Sequence, residues 1–250
     1  MVNIIFCGYN GRMGKVIRDL IDGIDDMQIV AGVDINKGEV AFPVYDSADK
    51  VSEAADVIID FSSPKALDAV LNKAVSGNIP VVLCTTGYSA EQLEQIKAAS
   101  EKVAILRSGN MSLGINTMAK LITEAAKILA DQGFDIEVVE KHHNQKLDAP
   151  SGTAILLADA MKKVLTEDYD YVYDRTGRRE KRPKNEIGIS SVRGGSIVGE
   201  HEVIFAGLDE VIEIKHTAYS RAIFGKGAIS AARFLAGRAP GMYDMSDVIG

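Results

Sequence analysis

Two adjacent histidines and a lysine, His142, His143 and Lys146, stand in one short run: Glu140-Lys141-His142-His143-Asn144-Gln145-Lys146-Leu147-Asp148-Ala149-Pro150-Ser151-Gly152-Thr153-Ala154. An imidazole exchanges protons near neutral pH, and a lysine delivers one when its pKa is lowered. Pro150-Ser151-Gly152-Thr153 reads as a helix start with Ser151 as its cap, and the free backbone N–H groups of such a start suit a carboxylate. These are the parts needed to reduce an imine or enamine by hydride transfer. The anionic ends of the substrate are bound, and a donor protonates the atom that does not receive hydride. The competing reading is a polar surface loop whose histidines cap neighbouring backbone. Three such groups ahead of a glycine-containing helix start favour the chemistry. Arg193, a lone cation before Gly194-Gly195, reads equally well as a substrate contact or as the partner of a carboxylate.

A second candidate lies at the beginning of the chain. The apolar run Val2–Cys7 leads directly into Gly8-Tyr9-Asn10-Gly11-Arg12-Met13-Gly14. A dinucleotide loop needs glycines for a tight turn, for close approach of backbone to pyrophosphate and for helix–strand packing. The outer two fit, and Asn10 holds the middle position, where asparagine tolerates left-handed backbone better than most residues. Asp34 follows Gly14 by twenty positions, where a carboxylate would accept from ribose hydroxyls. The same carboxylate would repel a 2′-phosphate, which favours NADH over NADPH, although Lys37 and Arg12 are near enough in sequence to soften that preference. A glycine-rich turn with no ligand is the alternative.

The elements around these residues fall into two patterns. Over the first hundred residues, short apolar runs (Val2–Cys7, Gln28–Val33, Ala55–Phe61, Val81–Leu83, Val103–Leu106) alternate with helical spacing (Gly11–Ile24, Pro64–Gly77, Ala90–Ser100). That rhythm predicts right-handed βαβ units in a Rossmann-type, doubly wound parallel sheet of the α/β class. After Asn110 come a long amphipathic helix (Ile115–Asp131), a strand (Asp135–Lys141), a helix (Gly152–Leu165) and a polar loop (Thr166–Asn185). Three strands at Glu186–Arg193, Glu200–Phe205 and Glu210–His216, joined by short turns, predict a mixed, largely antiparallel sheet in an α+β domain. Ser220–Ala236 returns to helix. The division expected is residues 1–110 with 220–250 as a dinucleotide-binding domain, and 111–219 as a domain for substrate binding and oligomerisation. The two are expected to close on a hinge near Asn110 and Tyr219.

Bulk properties exclude several classes. The 250 residues are 46% hydrophobic and 25% charged, ordinary for a globular protein. A net charge of −7 argues against a nucleic-acid partner. No apolar run is long enough to span a membrane, and Met1-Val2-Asn3 leads into a strand, not a signal peptide, so the expectation is a cytoplasmic protein. Two cysteines, Cys7 and Cys84, read as reduced, and no metal-ligand spacing joins them to the four histidines. His201 and His216 read as packed or interface histidines. Arg175, Arg178, Arg179, Lys181, Arg182 and Lys184 form a basic cluster without interleaved aromatics, so a solvated loop is expected, with anion steering as the alternative. The rival functions are another two-domain oxidoreductase, which has no need of His-His-x-x-Lys before Ser-Gly-Thr, and an NADH-sensing module.

The run Glu140–Ala154 resembles the motif of the 4-hydroxy-tetrahydrodipicolinate reductase (dihydrodipicolinate reductase) family. Other segments agree in order: Gly11-Arg12-Met13-Gly14, Asp60-Phe61-Ser62-Ser63-Pro64, Thr85-Thr86-Gly87 and Asn110-Met111-Ser112-Leu113-Gly114-Ile115-Asn116. Further on, Ser191-Val192-Arg193-Gly194-Gly195, Ile197-Val198-Gly199-Glu200-His201 and Asp244-Met245-Ser246-Asp247-Val248 also fit, so the resemblance spans essentially the whole chain. It implies NADH- or NADPH-dependent reduction of a cyclic dicarboxylate to tetrahydrodipicolinate on the diaminopimelate route to lysine. His142 would be the proton donor/acceptor and Lys146 the proton donor. His143 and the backbone at Gly152 and Thr153 would hold substrate carboxylates; Ser151, as cap of that helix start, and Arg193 are further substrate-binding candidates on the reading of the residues themselves. Gly8, Tyr9, Asn10, Gly11, Arg12 and Met13 would form the pyrophosphate loop, and Asp34 the ribose ligand. Cys84, Thr85, Thr86, Ser108, Gly109, Asn110 and Met111 would lie near the nicotinamide. Cys84 stands where glycine is usual and Met111 where phenylalanine is common. Ile35 follows Asp34 where NADPH-competent members often place arginine, in keeping with the NADH preference. The family implies a homotetramer assembled through the second domain's sheet.

Overall fold

The nearly unbroken apolar run at the N-terminus forms a strand buried on both faces, with Ile4, Ile5 and Phe6 fully enclosed. It opens the series β1 (Val2–Cys7), α1 (Arg12–Ile21), β2 (Met27–Val33), β3 (Val44–Tyr45), β4 (Val57–Asp60), α2 (Leu67–Gly77), β5 (Val81–Leu83), α3 (Ala90–Ser100) and β6 (Ala104–Arg107). Next come α4 (Leu113–Leu129), β7 (Asp135–His142), α5 (Gly152–Lys162), β8 (Asp170–Val172), β9 (Glu186–Arg193), β10 (Gly199–Ala206) and β11 (Val211–Ala218). The chain ends with α6 (Ala222–Leu235), β12 (Gly241–Tyr243) and α7 (Met245–Ile249). This computed structural model describes residues 1–250, and it separates into one unit of Met1–Leu113 with Ala222–Gly250 and another of Gly114–Arg221.

In the first unit seven strands run parallel in the order β12-β6-β5-β4-β1-β2-β3. The order reverses beside β1, which makes the carboxyl ends of β1 and β4 the switch point where open α/β sheets bind ligands. Alternate residues feed two cores. Ile4, Phe6, Ile59 and Leu106 pack with Ile17 of α1 and Ile229 of α6; Ile5, Ile58, Leu83 and Ile105 pack with Val70 of α2 and Ile96 of α3. Helix α6 approaches closely because its glycines permit it: a Cβ on Gly227 would lie 1.6 Å from the Met111 carbonyl oxygen. The short β3, β12 and α7 lack a long enough pattern to be visible in the sequence.

The second unit has a five-stranded mixed sheet in the order β11-β10-β7-β9-β8. One face packs beneath α4 and α5, burying Ile122, Ile136, Val138, Leu157, Ile189 and Phe205. Two details depart from the sequence reading. Strands β9 and β10 are consecutive but not paired, because β7 lies between them, parallel to β9 and antiparallel to β10. The alternating buried pattern of β7 suits a central strand, and the linker 194–198 is long enough to cross it. The expected loop Thr166–Asn185 contains β8, a short edge strand parallel to β9. No helix is long and apolar enough to cross a membrane.

Candidate active site

The glycine loop sits where β1 ends. Gly8 adopts φ +79°, and a Cβ there would lie 2.5 Å from the Phe61 carbonyl oxygen, so this position requires glycine. Gly14 is equally confined, with its missing Cβ 2.3 Å from the Tyr9 oxygen. Asn10 does not take left-handed backbone; among non-glycine residues only Asn78 has positive φ. Its amide donates to Asp34 Oδ2 at 3.1 Å, and its side chain donates to the Asn36 carbonyl at 3.0 Å. Asp34 also accepts from the Asn36 amide at 2.9 Å, so two amides aim its carboxylate at the end of β2. The Tyr9 side chain is fully buried, edge-on to Phe42, which leaves only its backbone for a ligand. Arg12 is exposed at the first turn of α1 and Met13 packs on the core.

A pocket of about 520 Å³ opens beside this loop, lined by Gly8, Gly11, Asp34, Ile35, Asp46 and Lys65 among others. Along the same sheet edge, buried Asp60 ends β4 and accepts from Thr85 Oγ1 at 2.8 Å, from Tyr88 and from Ser62. Burial raises its carboxyl, and these donors oppose the rise. Asp60 therefore joins the ends of β4 and β5 and fixes the Cys84-Thr85-Thr86 turn. Ser108, Gly109, Asn110 and Met111 follow β6, where Ser108 Oγ donates to the Asn110 carbonyl at 3.0 Å and Asn110 Oδ1 accepts from the Ser112 amide at 2.8 Å. These segments share the carboxyl edge of the parallel sheet. Its confined glycines and the adjoining pocket fit a dinucleotide.

In the second unit the strand β7 runs out into the histidine loop. Ser151 caps α5, accepting from the Ala154 amide at 3.2 Å, and Gly152 and Thr153 form the first turn. Lys146 Nζ lies 2.8 Å from Asp148 Oδ1. That pairing, with further donation from the Gly152 amide, holds the Asp148 carboxyl below the usual range. His143 is half-buried, and its Nδ1 meets no partner.

His142 is buried, and its Nδ1 lies 2.5 Å from Glu140 Oε2. Burial alone would raise the Glu140 carboxyl. Hydrogen bonds from Arg193, His142, Ser191 and Ser151 outweigh burial and hold it at about 2. Arg193 spends its donors inside the protein. Its two terminal nitrogens reach Glu140 at 2.8 and 2.7 Å, the Val192 carbonyl at 2.8 Å and the Asp148 carbonyl at 2.7 Å. Of the two readings of Arg193, its partners are those of a carboxylate pair.

Two site residues escaped the sequence reading. Glu140 carried no signal beyond its place in the motif, because its partners come from β9 and from beyond the loop. His201 was read as a packed or interface residue. It is buried with its ring 5.1 Å from that of His142 and its Nε2 3.1 Å from Ser151 Oγ. Burial, then the nearby His142, push it down to about 4, so it is neutral near pH 7. The pairing of His201 with Glu140 across β10 and β7 is what brings it here.

The basic cluster is only partly solvated. Arg175 and Arg182 both pair with Glu137, Arg182 also with Asp135, and Arg175 and Arg178 both pair with Glu186. These acidic residues on β7 and β9 draw half the cluster onto the sheet. No group of three or more His, Cys, Asp or Glu is placed to hold a metal ion.

Comparison with known proteins accounts for both units. Residues 2–111 match the family model described as dihydrodipicolinate reductase, N-terminus, and residues 114–249 match dihydrodipicolinate reductase, C-terminus. The 4-hydroxy-tetrahydrodipicolinate reductase of Caldanaerobacter subterraneus is 53% identical over 249 residues, covering 100% of this chain and 98% of that protein. The enzyme of that name from Clostridium novyi is 48% identical, with coverage of 100% and 98%. Among solved structures, the dipicolinate-bound dihydrodipicolinate reductase from Paenisporosarcina superposes with a TM-score of 0.83. It is 24% identical over 98% of this chain and 97% of that one, a likeness of fold.

Proposed function

The chain belongs to the dihydrodipicolinate reductase family, and on that footing we propose how its residues divide the work of the reaction. It reduces 4-hydroxy-tetrahydrodipicolinate to tetrahydrodipicolinate with NAD(P)H, on the diaminopimelate route to lysine. The ring hydroxyl leaves as water, and the unsaturated ring gains one hydride and one proton. When bound, the reduced nicotinamide supplies the hydride.

The first unit takes the cofactor. Amides of the Gly8–Met13 loop, at the start of α1, hold the pyrophosphate, and Asp34 holds the adenosine ribose. Cys84 to Thr86 and Ser108 to Met111, on the same sheet edge, serve the nicotinamide end. NADH is the preferred form: Asp34 and Asp46 both line the pocket and would repel a 2′-phosphate, against one lysine, Lys65. The second unit takes the substrate. The start of α5 at Gly152 and Thr153, capped by Ser151, binds its carboxylates together with His143, and Lys146 with His142 carries the proton. The observation that carries this reading is one loop holding His142, His143, Lys146 and a capped helix start, in a chain matching the family across both units.

The second unit is also the oligomerisation domain of a homotetramer. The sheet face turned away from α4 and α5 and the edge strand β11 leave Val192, Val211 and Ile212 exposed among charged neighbours, and their burial between copies would stabilise the assembly. Free Cys7 and Cys84 suit the reducing cytoplasm.

The test is the decay of nicotinamide absorbance, run in parallel with NADH and NADPH, with substrate generated in the cuvette by the preceding synthase from pyruvate and aspartate semialdehyde. Decay that needs both proteins and runs faster with NADH is the expected result. Intact NADH binding without decay would make the protein a sensor of the NADH pool. Sedimentation velocity on the same preparation reads the tetramer.

A further inference from the structure

We propose that Glu140 and Arg193 are positioning residues for this reaction: the Glu140 carboxylate, paired to the Arg193 guanidinium, keeps the proton of neutral His142 on Nδ1 and turns Nε2 to the work of proton transfer. The inference rests on the proton-carrying role given to His142 above. Glu140 has no exposed surface, yet two Arg193 nitrogens, the Ser151 amide at 3.0 Å and His142 Nδ1 all point at its two oxygens. A carboxylate gripped at both oxygens by a guanidinium stays ionised and can only accept. The hydrogen between Glu140 and His142 therefore belongs to Nδ1, and Nε2 of the neutral ring carries the lone pair. Gly199 keeps that side open, since a Cβ there would lie 3.1 Å from Nε2.

Arg193 has a second effect. A buried carboxylate alone beside His142 would bind the imidazolium strongly and make it a reluctant acid. Sharing the carboxylate with a guanidinium cancels most of its charge and weakens that hold on the proton. His201 from β10 packs its ring edge-on 5.1 Å from that of His142, and Lys146 from the loop and His216 from β11 lie within electrostatic reach of His201. The clamp also sets the spacing of the site. Glu140 holds the imidazole and the Ser151 amide at the start of α5, while Arg193 holds Glu140 and the Asp148 carbonyl in the loop that carries Lys146. Four of the five guanidinium hydrogens are spent in this way, and Nε is buried, which leaves none to meet a substrate.

Imidazole ¹⁵N NMR on the whole protein reads the tautomer directly, with four histidines to assign. Neutral His142 protonated on Nδ1 is the expected result; a ring protonated on Nε2 would overturn the proposal without any variant. In Glu140→Gln the amide offers a donor as well as an acceptor and no charge. Its expected effects are a kcat lower by about a hundredfold, KM and NADH affinity within about twofold, and a displaced pH–rate profile. Arg193→Met should shift the profile toward higher pH, because His142 would then face an unshared carboxylate. A Glu140→Gln enzyme with the wild-type pH profile would also refute the proposal, since a merely structural carboxylate changes the melting temperature alone. His142→Ala with undiminished turnover would instead remove the proton-carrying role, while the tautomer measurement still judges the clamp.

Discussion

Lys146 has a carboxylate neighbour that a proton donor does not obviously want. Asp148 lies 2.8 Å from its ammonium and also accepts from the Gly152 amide, so the loop's own carboxylate occupies donors proposed for the substrate. Substrate must displace it. Asp148 is largely exposed, and the competition is therefore worth no more than a surface ion pair. Asp148→Asn is expected to lower KM by about two- to fivefold with little change in kcat. A KM that stays level or rises in steady-state kinetics would show that Asp148 does not compete. Lys146→Met should instead act on the chemical step, lowering kcat by about 10²–10⁴ while NADH titration shows unchanged affinity. Equal losses in NADH affinity and kcat would count against a role in proton transfer. The proposed preference for NADH can be tested at one side chain too. In Asp34→Ser the NADPH rate should rise relative to NADH, and an unchanged ratio would mean that the pocket discriminates elsewhere.

At the scale of elements, whatever is local was legible and whatever depends on pairing was not. The turn from β1 through Gly8 into α1, and the acid closing β2, lie within one short stretch, so their order alone marks a nucleotide loop. A rigid consequence follows. Ala at position 8 would need a left-handed conformation and would drive its Cβ into the backbone of Phe61. Gly8→Ala is expected to cost about 2–4 kcal/mol and to abolish tight NADH binding. Urea denaturation and cofactor titration check the two parts, and a variant as stable as wild type would mean that the turn relaxes freely. The insertion of β7 between β9 and β10 gave no comparable signal, because consecutive strands with short linkers ordinarily pair. That insertion sets Glu140 opposite both Ser191 and His201. The Glu140–Arg193 pair spans 53 positions of sequence and exists only once that register is set. The basic run near residue 180 misled for the same reason, since its partners Glu137 and Glu186 sit on strands whose neighbours were unknown. The motif marked the loop, while the buried groups packed against His142 required the sheet.

Across the whole molecule, the buried charges of the second unit make stability depend on acidity in two separate windows. His201 titrates near 6.5 when unfolded and is pushed down to about 4 when buried. Between those values the unfolded chain binds more protons, so stability is full above about pH 6.5 and is lost as pH falls toward 4. Glu140 has the same sign lower down: its ordinary value is 4.5, and its folded value of about 2 places its loss between them. Each shift corresponds to on the order of 3 kcal/mol, which is a large fraction of the stability of an ordinary domain. Other carboxylates paired with arginine, exposed Asp26 with Arg233 and buried Glu186 with Arg178, are also lowered and fall in the acid window. His216, lowered by burial, is the other histidine in the upper one. Urea denaturation should therefore show stability falling from about pH 7 to about pH 4.5, before most carboxylates titrate. His201→Gln should flatten most of that upper fall, leave a small remainder from His216, and retain the steeper loss below about pH 4. Wild-type stability that stays level across the upper window would mean that His201 protonates in place without opening the fold, and the buried ring could not then be counted among the groups that hold the His142 loop.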